Sequence, residues 1–288
     1  MSTARAKRVL SIRTTSEGHW VGDGFPVRTL FSYSDGGEEL SPFLLLDHAG
    51  PMEFSPTEER LGVGPHPHRG FETVTIVHAG EVEHRDSSGA GGRIGPGDVQ
   101  WMTAAAGVVH EEFHGREFAR RGGPFEMVQL WVNLPARHKL APPRYQAILA
   151  RDIPDVRLGA ESTARVIAGE LGGRKGPAET VTPMLVAELR LDGTAELAVP
   201  EGWTALLVGL AGELRVNGSA PLGPDAHARL ERSGTGLALT AAPGTRALLL
   251  AGQPLDEPIA GYGPFVMNTL AEIRQAIADF QAGKMGRL

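Results

Sequence analysis

The chain breaks its apolar residues into short runs, and this constrains its fold more than any other feature. "FETVTIV" at 71–77, "DVQWMT" at 98–103, "FEMVQLWVNL" at 125–134, "TALLVGL" at 204–210, "GELRVNG" at 212–218 and "TRALLLAG" at 245–252 are each of strand length. All are rich in β-branched, aromatic or aliphatic residues. Turn signals such as "GPGD" and "DG" separate them, and 38 glycines and 21 prolines punctuate the 288 residues. Long stretches of helical periodicity are scarce. The pattern predicts an all-β chain built as sandwiches or barrels. The exception is the C-terminal "NTLAEIRQAIADFQAGK". There Thr269 can cap a helix, with Glu272 three residues on completing a capping box. Ile273, Ile277 and Phe280 fall on one face, and Gly283 ends the helix.

A weak internal repeat suggests two units. "VTIVHAGEVEHRD" at 74–86 resembles "ALLVGLAGELRVNG" at 205–218, with Ala79-Gly80-Glu81-Val82 matching Ala211-Gly212-Glu213-Leu214. Two similar β domains are expected, 1–140 and 141–288, the second including the helix. The stretch between them is rich in Pro, Gly and polar residues, as a connection should be.

Composition removes several classes of function. The net charge of −6 gives no basic field for nucleic acid or an anionic membrane. No apolar run has the length of a signal peptide or a membrane span. A cytoplasmic protein is the expectation. Cysteine is absent, which excludes disulfides, thiolate nucleophiles and sulfur ligands to metal. Any bound metal must therefore take N and O donors, which suits iron, manganese, nickel, copper or zinc.

The histidines are not spread evenly. Nine of the 10 precede residue 140, and only His227 follows. The repeat offset puts Ala198, Pro200 and Thr204 where the first half has His66, His68 and Glu72. One half thus keeps the imidazoles and the other has none at the matching positions, as for one working metal site. Residues i and i+2 of a strand share a face. His66 and His68 therefore converge, with Pro67 placed at a strand start or edge. In "GVVHEEFH", His110 and Glu112 share a face and Glu111 points away. Brought together, these pairs supply three imidazoles and a carboxylate, with room for water or substrate on an octahedral ion. Glu72, in phase with His66 and His68, competes with Glu112 as the carboxylate. His114 is in phase with His110 but too far along the strand. His19, His48, His78 and His84 read as structural or solvated, and His138 as a loop residue. No Gly-x-Ser-x-Gly elbow or P-loop motif is present. "GAGGRIG" precedes a turn and a strand, so it reads as a hairpin loop and not a dinucleotide fingerprint.

"GVGPHPHRGFETVTIV", "GPGDVQWMTAAAGVVHEE", "QLWVNLPARHKLAPPRYQ" and "GPFVMNT" resemble the pirin family of bicupins over most of the chain. The resemblance implies two β-sandwich cupin domains with a short C-terminal helix. It also implies one metal in the first domain, usually iron, held by His66, His68, His110 and Glu112. A general cupin would instead use Glu72. The second domain is expected to be a cupin without ligands. Phe71, Trp101 and Met102 are the apolar residues near the ligands in sequence. The implied activity is a dioxygenase opening flavonols such as quercetin with O2, with Glu112 also able to take the substrate's hydroxyl proton. The alternative is a non-catalytic, metal-bound regulator of transcription or metabolism that works through a protein partner. Another metal-dependent chemistry on the same fold is a third reading. A monomer is expected, with no nucleic acid and no membrane as partner.

Overall fold

A computed structural model describes residues 5–288, and its regular structure is mostly antiparallel strands. The short apolar runs become strands as their composition predicts. They form two compact units.

The first unit comprises residues 17–150 and 255–288. Its larger sheet has seven strands, in the order Arg144–Ile148, Val99–Thr103, Phe71–Ala79, Gly123–Asn133, Phe43–Phe54, Phe25–Ser32 and His19–Val21. Its smaller sheet has four, in the order Gly62–His68, Val108–His114, Val82–Asp86 and Gly91–Ile94. Phe25, Val27, Val77 and Phe125 of the larger sheet pack with Val82 and Ile94 of the smaller, closing one end of the sandwich with apolar side chains. The second unit comprises the residues up to Ser16 and 151–254. One eight-stranded sheet encloses a core of Leu, Val and Ala, including Val166, Leu189, Leu207 and Leu249. Its one histidine is His227. Both units are cupin-type β domains, so the expected fold class holds.

The repeat has a physical basis. Gly80 joins Phe71–Ala79 to Val82–Asp86, and Gly212 joins Thr204–Ala211 to Leu214–Val216. Their φ angles are 82° and 72°, where an L side chain is strained. A Cβ on Gly80 would also lie 2.5 Å from the Phe125 ring.

The units divide the chain elsewhere than at 140/141. Arg144–Ile148 pairs with Val99–Thr103, which carries the first unit to Ala150. Val9–Thr14 pairs with Ala226–Leu230 and so belongs to the second unit. The chain from Leu255 onward returns to the first. These are pairings between residues far apart in sequence, which local composition does not encode.

The helix spans Leu270–Gln281. Thr269 Oγ1 accepts from the Glu272 N–H at 3.2 Å as expected, while Glu272 Oε2 reaches back to the Asn268 N–H at 3.1 Å, one residue before the cap, and not to that of Thr269 itself. Ile273 and Ala276 are buried against Val109, Phe265, Met267 and Met285. Phe280 is 38% exposed, so the buried stripe is narrower than the sequence suggested. Among the described residues, no helix is long and apolar enough to cross a membrane.

Candidate metal centre

The two histidine pairs lie on adjacent antiparallel strands. His110 stands opposite His66, and Val108 opposite His68. The pairing register then shifts, so that Glu112 faces Val63. The irregularity falls on the Gly64–Pro65 side, because Val108–His114 pairs with Val82–Asp86 without a break. His110 and Glu112 therefore keep a common face. Glu112 points between the sheets, where its Oε1 accepts from Gln100 Nε2 at 3.0 Å and Thr75 Oγ1 at 3.4 Å. Glu111 points outward to Arg85 at 2.9 Å and Arg60 at 3.6 Å.

The rings of His66, His68 and His110 cluster. Their centroids are 4.9 Å apart for His66–His68, 4.2 Å for His66–His110 and 4.7 Å for His68–His110. One nitrogen of each can meet the others within 4.8 Å. A second such group joins His110 to His84 and Glu112. His110 is common to both, so Glu112 adjoins the three imidazoles through it.

Each clustered ring has one nitrogen occupied and one left over. His66 Nδ1 donates to the Gly64 carbonyl at 2.8 Å, leaving Nε2. His68 bonds to the Pro264 carbonyl, while its Nδ1 is buried without a partner. His110 Nδ1 lies 3.3 Å from His84 Nδ1, and its Nε2 is buried without a partner. Buried polar atoms without partners are costly unless something fills the gap. Neutral imidazoles with one nitrogen pinned and the other bare are the form that binds a metal ion. Burial, and then the neighbouring imidazoles, hold His68 and His110 well below the usual histidine range, so both stay neutral. The donor set therefore fits a divalent cation.

A further layer surrounds these groups. His84 Nε2 donates to Asp86 Oδ2 at 3.1 Å, and Gln100 Nε2 lies 3.3 Å from His84 Nδ1. The Tyr145 ring stacks on His84 at 5.0 Å, and its hydroxyl donates to Gln100 Oε1 at 3.3 Å. Burial, with the Glu112 and Asp86 charges, pushes the Tyr145 hydroxyl up to about 12, so it remains a donor. Burial would raise Asp86, but bonds from His84 and Ser88 outweigh it and hold the carboxyl below its ordinary value. Phe71 and Trp131 wall the other side, 5.1 and 5.3 Å from His68 and 4.3 Å from each other.

Several sequence expectations are displaced. Glu72 is not in either donor group. It accepts from Thr103 Oγ1 at 2.6 Å, and burial raises its carboxyl to about 7. The chain turns at Arg69-Gly70 between strands, so the phase counted from His68 does not carry across. For the same reason Phe71 reaches His68. Trp101 is fully buried opposite Val74, and Met102 packs with Ala104 and Val108. His114 sits among Phe54, Phe118 and Phe125, with Nε2 donating to the Gly24 carbonyl at 2.8 Å. His84 is buried and hydrogen-bonded, as a structural histidine is, and it also falls in the second donor group. Its signal was the i, i+2 pair His84/Asp86, the same period as the other two pairs.

The C-terminal segment grips the ligand strand from outside. Val266 N–H donates to the Arg69 carbonyl at 3.0 Å, and Arg69 donates to Asp279 at 2.8 Å. Lys139 is 1% exposed and donates to Gly70 O at 2.7 Å, Asn133 Oδ1 at 2.6 Å and Val266 O at 2.9 Å.

Comparison with known proteins decides the family. The Pirin family model matches residues 24–132, and the model of the pirin C-terminal cupin domain matches 184–286. The chain belongs to the pirin family. A Pseudomonas aeruginosa protein carrying the provisional name quercetin 2,3-dioxygenase is 55% identical over 284 residues, covering 98% of this chain and 99% of its own. Pirin from Mus musculus is 37% identical over 262 residues, covering 86% of this chain and 84% of its own. A crystal structure titled quercetin 2,3-dioxygenase from Acinetobacter baumannii superposes with a TM-score of 0.96 at 57% identity, covering 98% and 99% of the two chains. The pirin fold thus accounts for the two cupin units, and the bare imidazole nitrogens lie in the unit that the first family model matches.

Proposed function

We propose that this pirin is a metal-dependent dioxygenase that opens flavonols such as quercetin with O2. One divalent ion would be held by His66, His68, His110 and Glu112. The observation that carries the reading is the three imidazoles, each with one nitrogen pinned and one bare, clustered between the sheets beside a carboxylate. The names of the Pseudomonas and Acinetobacter relatives support the substrate class. We assign iron(II) as the ion; manganese, nickel, copper and zinc suit the same donors.

The ion, when bound, supplies Lewis acidity and a redox centre next to the substrate. The chain supplies the rest. Glu112 Oε1 is taken by Gln100 and Thr75, which leaves Oε2 to face the ion or to accept the flavonol hydroxyl proton. Trp131, partly exposed and backed by the buried Phe71, offers a flat apolar face to an aromatic ring system. The test is oxygen consumption with quercetin after loading with Fe(II), Mn(II), Ni(II) or Cu(II). We expect turnover with at least one ion in the native protein and none in His110→Ala. Equal rates in both proteins would refute the reading.

A further inference from the structure

We propose that Asp86, which is not itself a ligand, dictates through His84 which nitrogen of His110 carries a proton, and thereby whether the centre can take up metal. The inference rests on the metal-centre reading above, and it does not depend on the flavonol chemistry.

The chain of hydrogen bonds is closed at both ends by groups with fixed roles. Asp86 Oδ1 accepts from Ser88 N at 2.8 Å, Ser88 Oγ at 2.6 Å and Ala90 N at 3.2 Å. That oxygen is occupied by the loop, and only Oδ2 turns to His84. A carboxylate only accepts, so His84 Nε2 carries the proton. On the other side of the ring, Gln100 faces Glu112, which also only accepts, and the Tyr145 hydroxyl, which donates. This fixes Gln100 with its NH2 towards Glu112 and towards His84 Nδ1. The NH2 only donates, so His84 Nδ1 must be the bare acceptor. Both sides of the His84 ring therefore demand the same tautomer.

That result passes to His110. Its Nδ1 lies 3.3 Å from His84 Nδ1, and two bare nitrogens cannot bond to each other. His110 Nδ1 donates, sharing the single lone pair of His84 Nδ1 with Gln100 in a three-centre contact, which leaves its buried Nε2 without a proton. The opposite tautomer would put a proton on the buried nitrogen that has no partner. The stacked Tyr145 ring and full burial of the His84 side chain keep water from satisfying either nitrogen instead. Outer-layer partners of metal-binding histidines generally act this way. Here the control runs through a second imidazole.

The variant Asp86→Asn separates this role from structure. Asparagine keeps an oxygen for Ser88 and Ala90 but places an NH2 where Oδ2 faced His84. His84 Nε2 would then have to accept and Nδ1 donate, turning the Gln100 amide at the cost of its bond to Glu112, and His110 would be driven to carry its proton on Nε2. Ser88→Ala is the control, because it loosens the same loop without touching the bond to His84. Two measurements are needed: long-range 1H–15N spectra of the histidines in metal-free protein, and cobalt(II) affinity by competition with a chelator. We expect Nδ1-protonated His110 in the native protein and in Ser88→Ala. In Asp86→Asn we expect Nε2-protonated His110 and cobalt binding weakened about tenfold or more. Nε2-protonated His110 in the native protein would overturn the proposal. So would native cobalt affinity in Asp86→Asn, or an equal loss in Ser88→Ala. If Asp86→Asn does not fold, the tautomer of the native protein decides alone. A native protein that took up no cobalt would sink the metal-centre reading, while the spectra would still test the hydrogen-bond chain.

Discussion

Lys139→Met tests whether the buried ammonium clamps the turn behind the ligand strand. The lysine is almost fully buried, and its three N–H groups meet three acceptors between 2.6 and 2.9 Å. Two of these are the carbonyls of Gly70, two residues past His68, and Val266, in the C-terminal strand. Methionine fills similar volume without a donor. Each hydrogen bond from a charged donor contributes about 1.5–3 kcal/mol. Burying the cation costs several kcal/mol, enough to bring the Lys139 ammonium down to about 7, and offsets much of that. The residue of the balance is set by the two stranded carbonyls, at about 1–3 kcal/mol each. A net loss of about 2–6 kcal/mol follows. For a unit of this size that lowers Tm by roughly 2–4 °C per kcal/mol, or about 4–24 °C in all. Differential scanning calorimetry of metal-free protein measures it, with Lys284→Met as the control. Lys284 is largely exposed and pairs with Asp279 at 2.8 Å, so its loss should change Tm little. A Tm for Lys139→Met within about 1 °C of the native value would refute the argument.

The two neighbouring glutamates should behave oppositely: Glu112→Gln is expected to weaken cobalt binding at least tenfold, about the effect of losing a metal-site partner, and Glu111→Gln to leave it unchanged. Comparable chelator-competition curves for the two would show that the strand phase has been misread. Metal-free protein should lose stability as pH falls below about 6.5. His68 and His110 have depressed pKa values in the fold, so below the ordinary histidine value the unfolded chain takes up protons that the fold does not. Urea midpoints at pH 7.5, 6.5 and 5.5 check this, and a midpoint that rises on acidification would contradict it. Gly80→Ala should cost about 2–4 kcal/mol, combining positive-φ strain with the clash on Phe125. Gly89→Ala, with φ of 86° and open space around the new methyl, should cost about 1–2 kcal/mol. Equal urea midpoints for the two would remove Phe125 from the account.

Much of the centre was legible because strand parity is a local property. His66 with His68, and His110 with Glu112, follow from alternation alone, as does the outward Glu111. Parity failed where a strand ended. Glu72 counted in phase with His68, but the turn at Arg69-Gly70 reset the count and sent Phe71 to the imidazoles instead. His84 was passed over although Asp86 stood two residues away. A pair of this kind shows a common face, and nothing in it says which other strand that face will meet. Gln100 and Tyr145 carried no signal, since their roles exist only through Glu112 and His84.

By itself the sequence determined the β class, the two related units, the capped helix and the faces on which the histidines lie. These depend on residues a few positions apart, where backbone geometry relates them directly. The tertiary structure alone decided that the first strand joins the second unit, that the C-terminal segment returns to the first, and that Lys139 and Pro264 meet the turn and ring beside it. It also decided which nitrogen of each imidazole is left bare. Those outcomes require partners brought from distant parts of the chain, and only the folded packing selects among them.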